Sequence, residues 1–303
     1  MRRKFESGWL AAPAALLLLA CGASDPAHES LVRGVDSVIT ESGAEVGVYF
    51  RMVDGSDSLT VNPDLRMHAA STMKVPVMIQ LFRDSDDGTF SITDSIEVKN
   101  TFSSIVDGSP FEMLGDVDSD QDIYELVGLR IPVENLIHRM ITMSSNLATN
   151  ILIEFADAER VTATMRTLGA DSIEVLRGVE DLVAFEAGLS NTTTARDLGV
   201  IFTALANGTA AGEASTEAML EILSEQHFAN KIPAGLPEGT HVANKTGNIT
   251  RISHDAGIIY PEGGDPYVLA VLVRGIDDAD ESAALIAEIS RLVFEHVVGE
   301  QDG

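Results

Sequence analysis

The sequence predicts an α/β chain of the α+β kind. One antiparallel sheet is flanked by N- and C-terminal helices, an all-helical domain is inserted, and the active site lies in the cleft between them. Three observations carry this expectation. Short runs rich in Val, Tyr and Phe lie near the start of the chain, helical patterns fill the middle, and two apolar strands precede a long amphipathic helix at the end. With 303 residues the chain can bury a substantial core. It contains no internal repeat and no low-complexity tract.

In order, residues 28–42 show helical periodicity, with Leu31, Val32, Val35, Val38 and Ile39 on one face. Residues 45–52 alternate as a strand, 54–57 form a turn, and 58–61 form a return strand. A helix is expected from about Ser71, broken by the polar stretch 84–88. Residues 95–99 read as a short strand. The Gly/Ser/Asp-rich stretch 100–121 reads as a long loop suited to forming a pocket wall. Helices are expected over 133–143, 146–155, 158–167, 194–206 and 213–223. Strands follow at 240–244, 256–260 and 267–274, the last two joined by the turn 261–266, and an amphipathic helix covers 280–298.

The formal charge of −27 comes from 20 basic and 47 acidic residues. It argues against charge-driven binding to nucleic acid or to an anionic membrane. The N-terminus has a basic start (Arg2, Arg3, Lys4) and an apolar stretch over 9–20, too short to span a bilayer as an ordinary helix. It ends in Leu18-Leu19-Ala20-Cys21-Gly22, which resembles a bacterial lipobox. Cys21 is the single cysteine, so an intrachain disulfide is impossible, and lipidation explains its position better than redox chemistry. The expected organisation is a lipoprotein signal peptide over 1–20, a tether over 21–29 and a catalytic domain over 30–303. Within that domain the sheet part covers about 30–66 and 235–303, and the helical part about 67–234.

Three motifs carry chemistry. In Ser71-Thr72-Met73-Lys74, the spacing puts Lys74 one helical turn after Ser71. A buried lysine with a lowered pKa can take the proton of a serine nucleophile. A serine at this place also serves as a plain helix N-cap. In Ser144-Ser145-Asn146, a hydroxyl and an amide stand at the junction of two expected helices, where they can relay a proton and hold a substrate amide, or simply start the second helix. In Lys245-Thr246-Gly247, positive charge and a hydroxyl suit a carboxylate, and glycine permits close approach. Beyond Cys21 the chain has only four lysines, Lys74, Lys99, Lys231 and Lys245, and two of them fall in these motifs.

Ser-x-x-Lys, Ser-x-Asn and Lys-Thr-Gly in this order resemble the class A β-lactamases and the penicillin-binding proteins over nearly the whole chain. The resemblance implies Ser71 as acylated nucleophile, Lys74 as its proton partner and Ser144 as proton relay. It implies that Asn146, Lys245, Thr246 and Gly247 bind substrate. The oxyanion hole would be formed by the backbone N–H groups of Ser71 and Asn248. It also implies a loop glutamate that activates the deacylating water, with Glu180 the first candidate and Glu186 the second. The chain departs from the family in several places. The loop is about two residues short, Ala184 stands for an asparagine, Asn191 for an aspartate that pairs with an arginine, and Ser145 for the central aspartate of Ser-Asp-Asn. His254 stands where a strand arginine is usual, with Arg251 nearby, and reads as a strand-end or pocket-wall residue.

The expected activity is hydrolysis of a β-lactam amide by a monomeric serine hydrolase, without metal or organic cofactor. The enzyme would be held by a lipid on Cys21 in the cell envelope, facing the periplasm. A D-alanyl-D-alanine peptidase, an acylated β-lactam or muropeptide sensor, and a binding module on the same fold are the alternatives. The seven histidines look scattered, with no His-Glu-x-x-His or paired cysteines for zinc, and no Gly-x-Ser-x-Gly elbow accompanies His254-Asp255.

Overall fold

A computed structural model describes residues 25–301. The expected signal peptide over 1–20 and Cys21 lie outside the described residues. The chain opens with α1 (Pro26–Ser42), β1 (Glu45–Met52), β2 (Ser58–Val61), β3 (Met67–His68), a 3-10 turn (Ala70–Met73) and α2 (Lys74–Asp86). Its middle holds β4 (Ser95–Glu97), β5 (Phe102–Ser103), β6 (Pro110–Phe111), a second 3-10 turn (Gln121–Leu126), β7 (Arg130–Pro132), α3 (Val133–Thr142), α4 (Asn146–Ala156) and α5 (Ala158–Thr167). There follow α6 (Leu182–Glu186), β8 (Thr192–Thr193), α7 (Ala195–Ala206) and α8 (Glu213–Ser224). The chain closes with a third 3-10 turn (Ile232–Gly235), β9 (His241–Ile249), β10 (Ile252–Tyr260), β11 (Tyr267–Arg274) and α9 (Ala279–Gln301).

The main sheet has the order β2-β1-β11-β10-β9 and is antiparallel throughout, so both ends of the chain share it as expected. Alternate side chains of each strand go to opposite faces. Val46, Val48, Phe50, Leu269 and Val271 meet Leu31 and Val35 of α1 and Ile286, Ile289 and Val293 of α9. Tyr49, Ala243, Ile258, Val268, Ala270 and Leu272 face the other way, into a cluster that continues through α2, α3, α4 and α7. Covered on both faces, β11 reads as an unbroken apolar run. Helix α7 lies so close to β1 that a Cβ on Gly199 would stand 2.1 Å from the Tyr49 ring.

Helix α2 is buried along most of its length, with Val75, Val77, Met78, Ile79 and Leu81 fully enclosed. It fixes the position of the segment before it. Most helices lie within two residues of their expected limits; α9 runs on to Gln301, and α2 begins at Lys74 and runs through Asp86 rather than stopping at the polar stretch. Strands β9 and β10 are longer than expected. The Lys245-Thr246-Gly247 motif sits inside β9 rather than at a strand end, and β10 begins at Ile252. Their central residues are polar but buried, so they lack the apolar alternation that marks a strand in sequence. Among the described residues no helix is long and apolar enough to cross a membrane.

Candidate active site

Ser71 lies in the 3-10 turn, and α2 begins only at Lys74, three residues later than the sequence suggests. The Lys74 N–H donates to the Ser71 carbonyl. In a 3-10 turn residues i and i+3 eclipse, so the expected juxtaposition survives the change of helix type. The turn is entered through Ala70 at φ 46°, a left-handed conformation that a residue with a Cβ adopts only when its surroundings impose it. On one side β3 pairs with β8, and the Ala69 N–H donates to Asn191. On the other, β9 presses on the turn at Gly247, where a Cβ would stand 3.1 Å from the Ser71 nitrogen and from the Ala70 Cβ. A side chain there would push the Ser71 turn by a few tenths of an ångström, and glycine avoids that.

The α3–α4 junction supplies the second set of side chains. Ser144 is also left-handed, at φ 58°. Its neighbour Ser145 turns inward and caps α4 by accepting the Ala148 N–H. Ser144 and Asn146 are thereby left to line the cleft. The long loop does form a wall, through Val117 and Ser119, and it also clamps this junction. The buried Asp118 carboxylate accepts the N–H groups of Asn146 and Leu147 at 2.9–3.0 Å. The Ser119 hydroxyl donates to the Met143 carbonyl, and Asp120 receives Arg139 Nη1 through both oxygens. Asp118 therefore brings a carboxylate to the α4 N-terminus of a chain whose Ser-x-Asn motif carries Ser145 in place of aspartate.

The two motif lysines converge on this junction. Lys74 Nζ donates to the Ser144 carbonyl at 2.7 Å, to Ser144 Oγ at 3.1 Å and to Asn146 Oδ1 at 3.0 Å. Lys245 Nζ reaches the same Oγ at 3.1 Å from the opposite side and also donates to the Thr246 carbonyl. Both lysines are fully enclosed. Burial lowers the Lys74 pKa to about 7, against the opposing pull of Asp118 and Glu180. Burial, and then the nearby Lys74 charge, push Lys245 well below the ordinary lysine value.

Two clefts of about 300 and 400 Å³ meet at Ser71, Asn146 and Asn248. The first adds Ser144, Thr246 and Gly247, and the second adds Glu180 beside Val179, Leu182 and Phe185. Glu180 has φ 62°, and its carboxylate accepts Asn146 Nδ2 at 3.4 Å. Burial and the Asp118 charge raise its pKa. Glu186 is exposed on α6 and lines neither cleft. The shortened loop is held by amides rather than by an Asp–Arg pair. Asn191 accepts the Leu176 and Arg177 N–H groups and donates to the Arg177 carbonyl. The Arg177 guanidinium turns to the Leu189 and Gly178 carbonyls. Asn150 brackets Val179 through its N–H and its carbonyl, and a Cβ on Gly178 would lie 2.3 Å from Asn150 Oδ1.

The reading of His254 as a strand-end or pocket-wall residue is corrected. It is wholly buried within β10, its Nε2 is 2.9 Å from the His68 carbonyl, and burial takes its pKa down to about 4. It ties β10 to the segment that leads into Ser71. Arg251 sits at the β9–β10 turn, paired with Asp277. Sequence reasoning missed Asp118 and also Lys231, a third buried lysine. Its Nζ donates to the Gly247 carbonyl at 3.2 Å, to Asn248 Oδ1 at 2.8 Å and to the His254 carbonyl at 2.9 Å. Burial lowers its pKa to about 8, against the attraction of the buried Asp255. The scarcity of lysine was the available signal, since a third of the four also belongs to this site.

Residues 30–297 match the model of a family described as the Beta-lactamase enzyme family. A β-lactamase of Bacteroides uniformis is 26% identical over 280 residues, covering 86% of this chain and 89% of that protein. The crystal structure of a β-lactamase from Sphaerobacter thermophilus is 25% identical with a TM-score of 0.74, covering 89% of this chain and 97% of that one. A PBP-A mutant, solved as an acyl-enzyme complex with penicillin G, is 25% identical with a TM-score of 0.74, covering 90% and 97% of the two chains.

The clamp on the α3–α4 junction can be tested directly. Asp118→Ala removes the acceptor of two N–H groups at a helix start, and we expect a loss of about 1–2 kcal/mol in stability by denaturant unfolding. Unchanged stability would remove Asp118 from this role.

Proposed function

The chain belongs to the β-lactamase enzyme family, and we propose that it is a class A-type serine hydrolase that opens the β-lactam amide through an acyl-enzyme on Ser71. The observation that carries the reading is the pair of enclosed lysines on one hydroxyl, with Ser71 beside them at the meeting point of two clefts. In the neutral form Lys74 takes the Ser71 proton as Oγ attacks the ring carbonyl. The N–H groups of Ser71 and Asn248 receive the oxyanion. Ser144, touched by both lysines, passes its hydroxyl proton to the departing ring nitrogen and receives in its place the proton that Lys74 took from Ser71. Lys245 and Thr246 receive the substrate carboxylate, Gly247 gives it room, and Asn146 holds the side-chain amide. Lys231 acts as a positioning residue through Gly247 and Asn248. Glu180 then takes a proton from the water that cleaves the ester, and Ser71 is restored.

Two observations favour a second reading. Ala184 stands where the family has an asparagine, and the hydrogen bond from Asn146 to Glu180 is long. A D-alanyl-D-alanine peptidase or an acylated sensor would share the acylation parts and release the adduct slowly. Intact mass measured over time after mixing with penicillin G separates these readings. For the proposed enzyme we expect a transient adduct with penicillin consumed, no adduct in Ser71→Ala, and a trapped adduct in Glu180→Gln, with deacylation slowed by about 10²–10⁴-fold. An adduct that persists in the wild type points to the second reading. Consumption undiminished in Ser71→Ala overturns the acyl-enzyme.

The pH dependence of acylation has a definite sign. Burial favours the neutral amine of Lys74, and only that form accepts a proton, so the acylation rate rises with pH through about 7. Stopped-flow acylation rates between pH 5 and 9 check this, and a flat profile would exclude Lys74 as the base.

The same reading places the enzyme as a monomer in the cell envelope, on the periplasmic side, with a lipid on Cys21 as its anchor. We expect Cys21→Ser to move the protein from the membrane pellet to the soluble fraction. Retention in the pellet would reject the anchor.

A further inference from the structure

The histidines are not all scattered once the chain is folded. His28 at the start of α1, Asp57 in the β1–β2 turn and His296 near the end of α9 come together on the face of the sheet that α1 and α9 cover. His28 Nδ1 is 3.0 Å from Asp57 Oδ1, and His296 Nε2 is 2.6 Å from Asp57 Oδ2. One donor atom from each residue lies within 4.8 Å of the other two. The group sits at the edge of the protein, with side-chain exposures of 34%, 21% and 4% for His28, Asp57 and His296, so an ion has a path in from solvent. His296 is braced from below by Phe50, and its ring meets His28 edge-on at 6.0 Å.

We propose that His28, Asp57 and His296 form a binding site for a divalent transition-metal ion, with Zn²⁺ as the best fit, remote from Ser71 and serving to fasten the two ends of the fold. Two imidazoles and one carboxylate form a borderline donor set that suits Zn²⁺ and is a poor one for Mg²⁺ or Ca²⁺. Three protein ligands leave a fourth position for water. Donor atoms on a tetrahedral Zn²⁺ lie about 3.3 Å apart, given bonds of about 2.0–2.1 Å. The N···O pairs would therefore open, by about 0.3 Å at His28 and about 0.7 Å at His296. Asp57 is suited to the role as an anion. Its two oxygens already face the two histidine nitrogens. When the ion binds, the protons between the histidine nitrogens and Asp57 leave those nitrogens for the other ring nitrogen or for solvent, and metal–nitrogen and metal–oxygen bonds replace them.

The geometry also says what the ion would do. The three ligands come from residues 28, 57 and 296, so one ion cross-links the first helix, the first hairpin and the last helix, closing nearly the whole chain into a loop. The catalytic residues lie against the opposite face of the sheet, where β9 and β10 meet the Ser71 turn. The ion therefore stabilises the fold without entering the reaction.

The experiment uses the full chain without an affinity tag, stripped with a chelator, titrated with ZnCl₂ by calorimetry and melted with and without the metal. We expect one equivalent to bind, and the melting temperature to rise by roughly 5 °C at a hundredfold excess over Kd. We expect at least tenfold weaker binding and no rise in Asp57→Asn and in the more exposed variant His28→Gln, with penicillin consumption at 25 °C unchanged in both. Co²⁺ in place of Zn²⁺ gives the visible absorption of a four-coordinate site, lost in the same variants. No binding to the wild type, or equal binding to the wild type and both variants, overturns the proposal. A melting shift of the same size with MgCl₂ overturns the assignment to a transition metal.

Discussion

The site rests on one costly arrangement: two lysine side chains shut away from water and aimed at the same serine hydroxyl. Lys74 and Lys245 approach Ser144 Oγ from opposite sides at 3.1 Å each. Burying an ammonium group is expensive, and burying a second one beside it adds repulsion. The surroundings answer both costs. Asp118 and Glu180 act on Lys74, Asp255 acts on Lys245, and Lys74 exchanges part of its lost hydration for a carbonyl, a hydroxyl and an amide oxygen. What remains of the cost appears as lowered pKa values. A stable protein with no reaction to perform gains nothing from that, whereas a proton acceptor working near neutrality requires it.

Such a centre needs rigid walls, and the backbone shows where the constraint falls. Six non-glycine residues among those described have positive φ, and Ala70, Ser144 and Glu180 are three of them, each placing a wall of the clefts. Every one of these has a local device against relaxation. Gly247 presses on the Ser71 turn from β9, while His254 holds the preceding strand through the His68 carbonyl. Asp118, Ser119 and Asp120 clamp the Ser144 junction at three successive positions. Asn150 and Asn191 grip the backbone around Glu180. Strain at functional positions persists where the surrounding structure over-determines it, and here that support is visible.

This also explains what the sequence revealed and what it concealed. Most helices and the strands β1, β2 and β11 were legible because their apolar pattern reports burial on a continuous core. The ends of β9 and β10 were not, because Asn244, Lys245, Ser253, His254 and Asp255 are buried polar residues, and a strand of that composition reads as a loop. The three motifs pointed to the proposed nucleophile and to the residues that fold around it. Asp118 escaped notice because it lies in a loop without periodicity and acts through space on a helix start 28 residues later. Lys231 escaped because it precedes a short 3-10 turn and has no motif around it. Its meaning lies in Asp255 and Asn248, which only folding brings to it.

The two halves of the proposed reaction are built to different standards. The proposed acylation parts sit on the 3-10 turn at Ser71, the start of α2, the α3–α4 junction and β9, all packed against the apolar core, and the polar partners of Lys74 and Lys245 lie at 2.7–3.1 Å. The deacylation part sits on residues 177–191, a segment whose only helix is five residues long and whose hydrophobic side chains Leu182 and Phe185 are exposed. Its usual Asp–Arg closure is replaced by the Asn191 amide on the Arg177 backbone, and the position of the family's supporting asparagine carries only the methyl of Ala184. Amide-to-backbone hydrogen bonds fix the course of the loop, but they do not reach the Glu180 carboxylate, which is oriented from the Asn146 side. Lys74 has three short hydrogen bonds defining its direction, and Glu180 has one long one. Orientation contributes as much to general base catalysis as pKa does. On this scaffold, therefore, the support of one loop carboxylate, more than the making of the nucleophile, divides a rapid hydrolase from a protein that is acylated and waits.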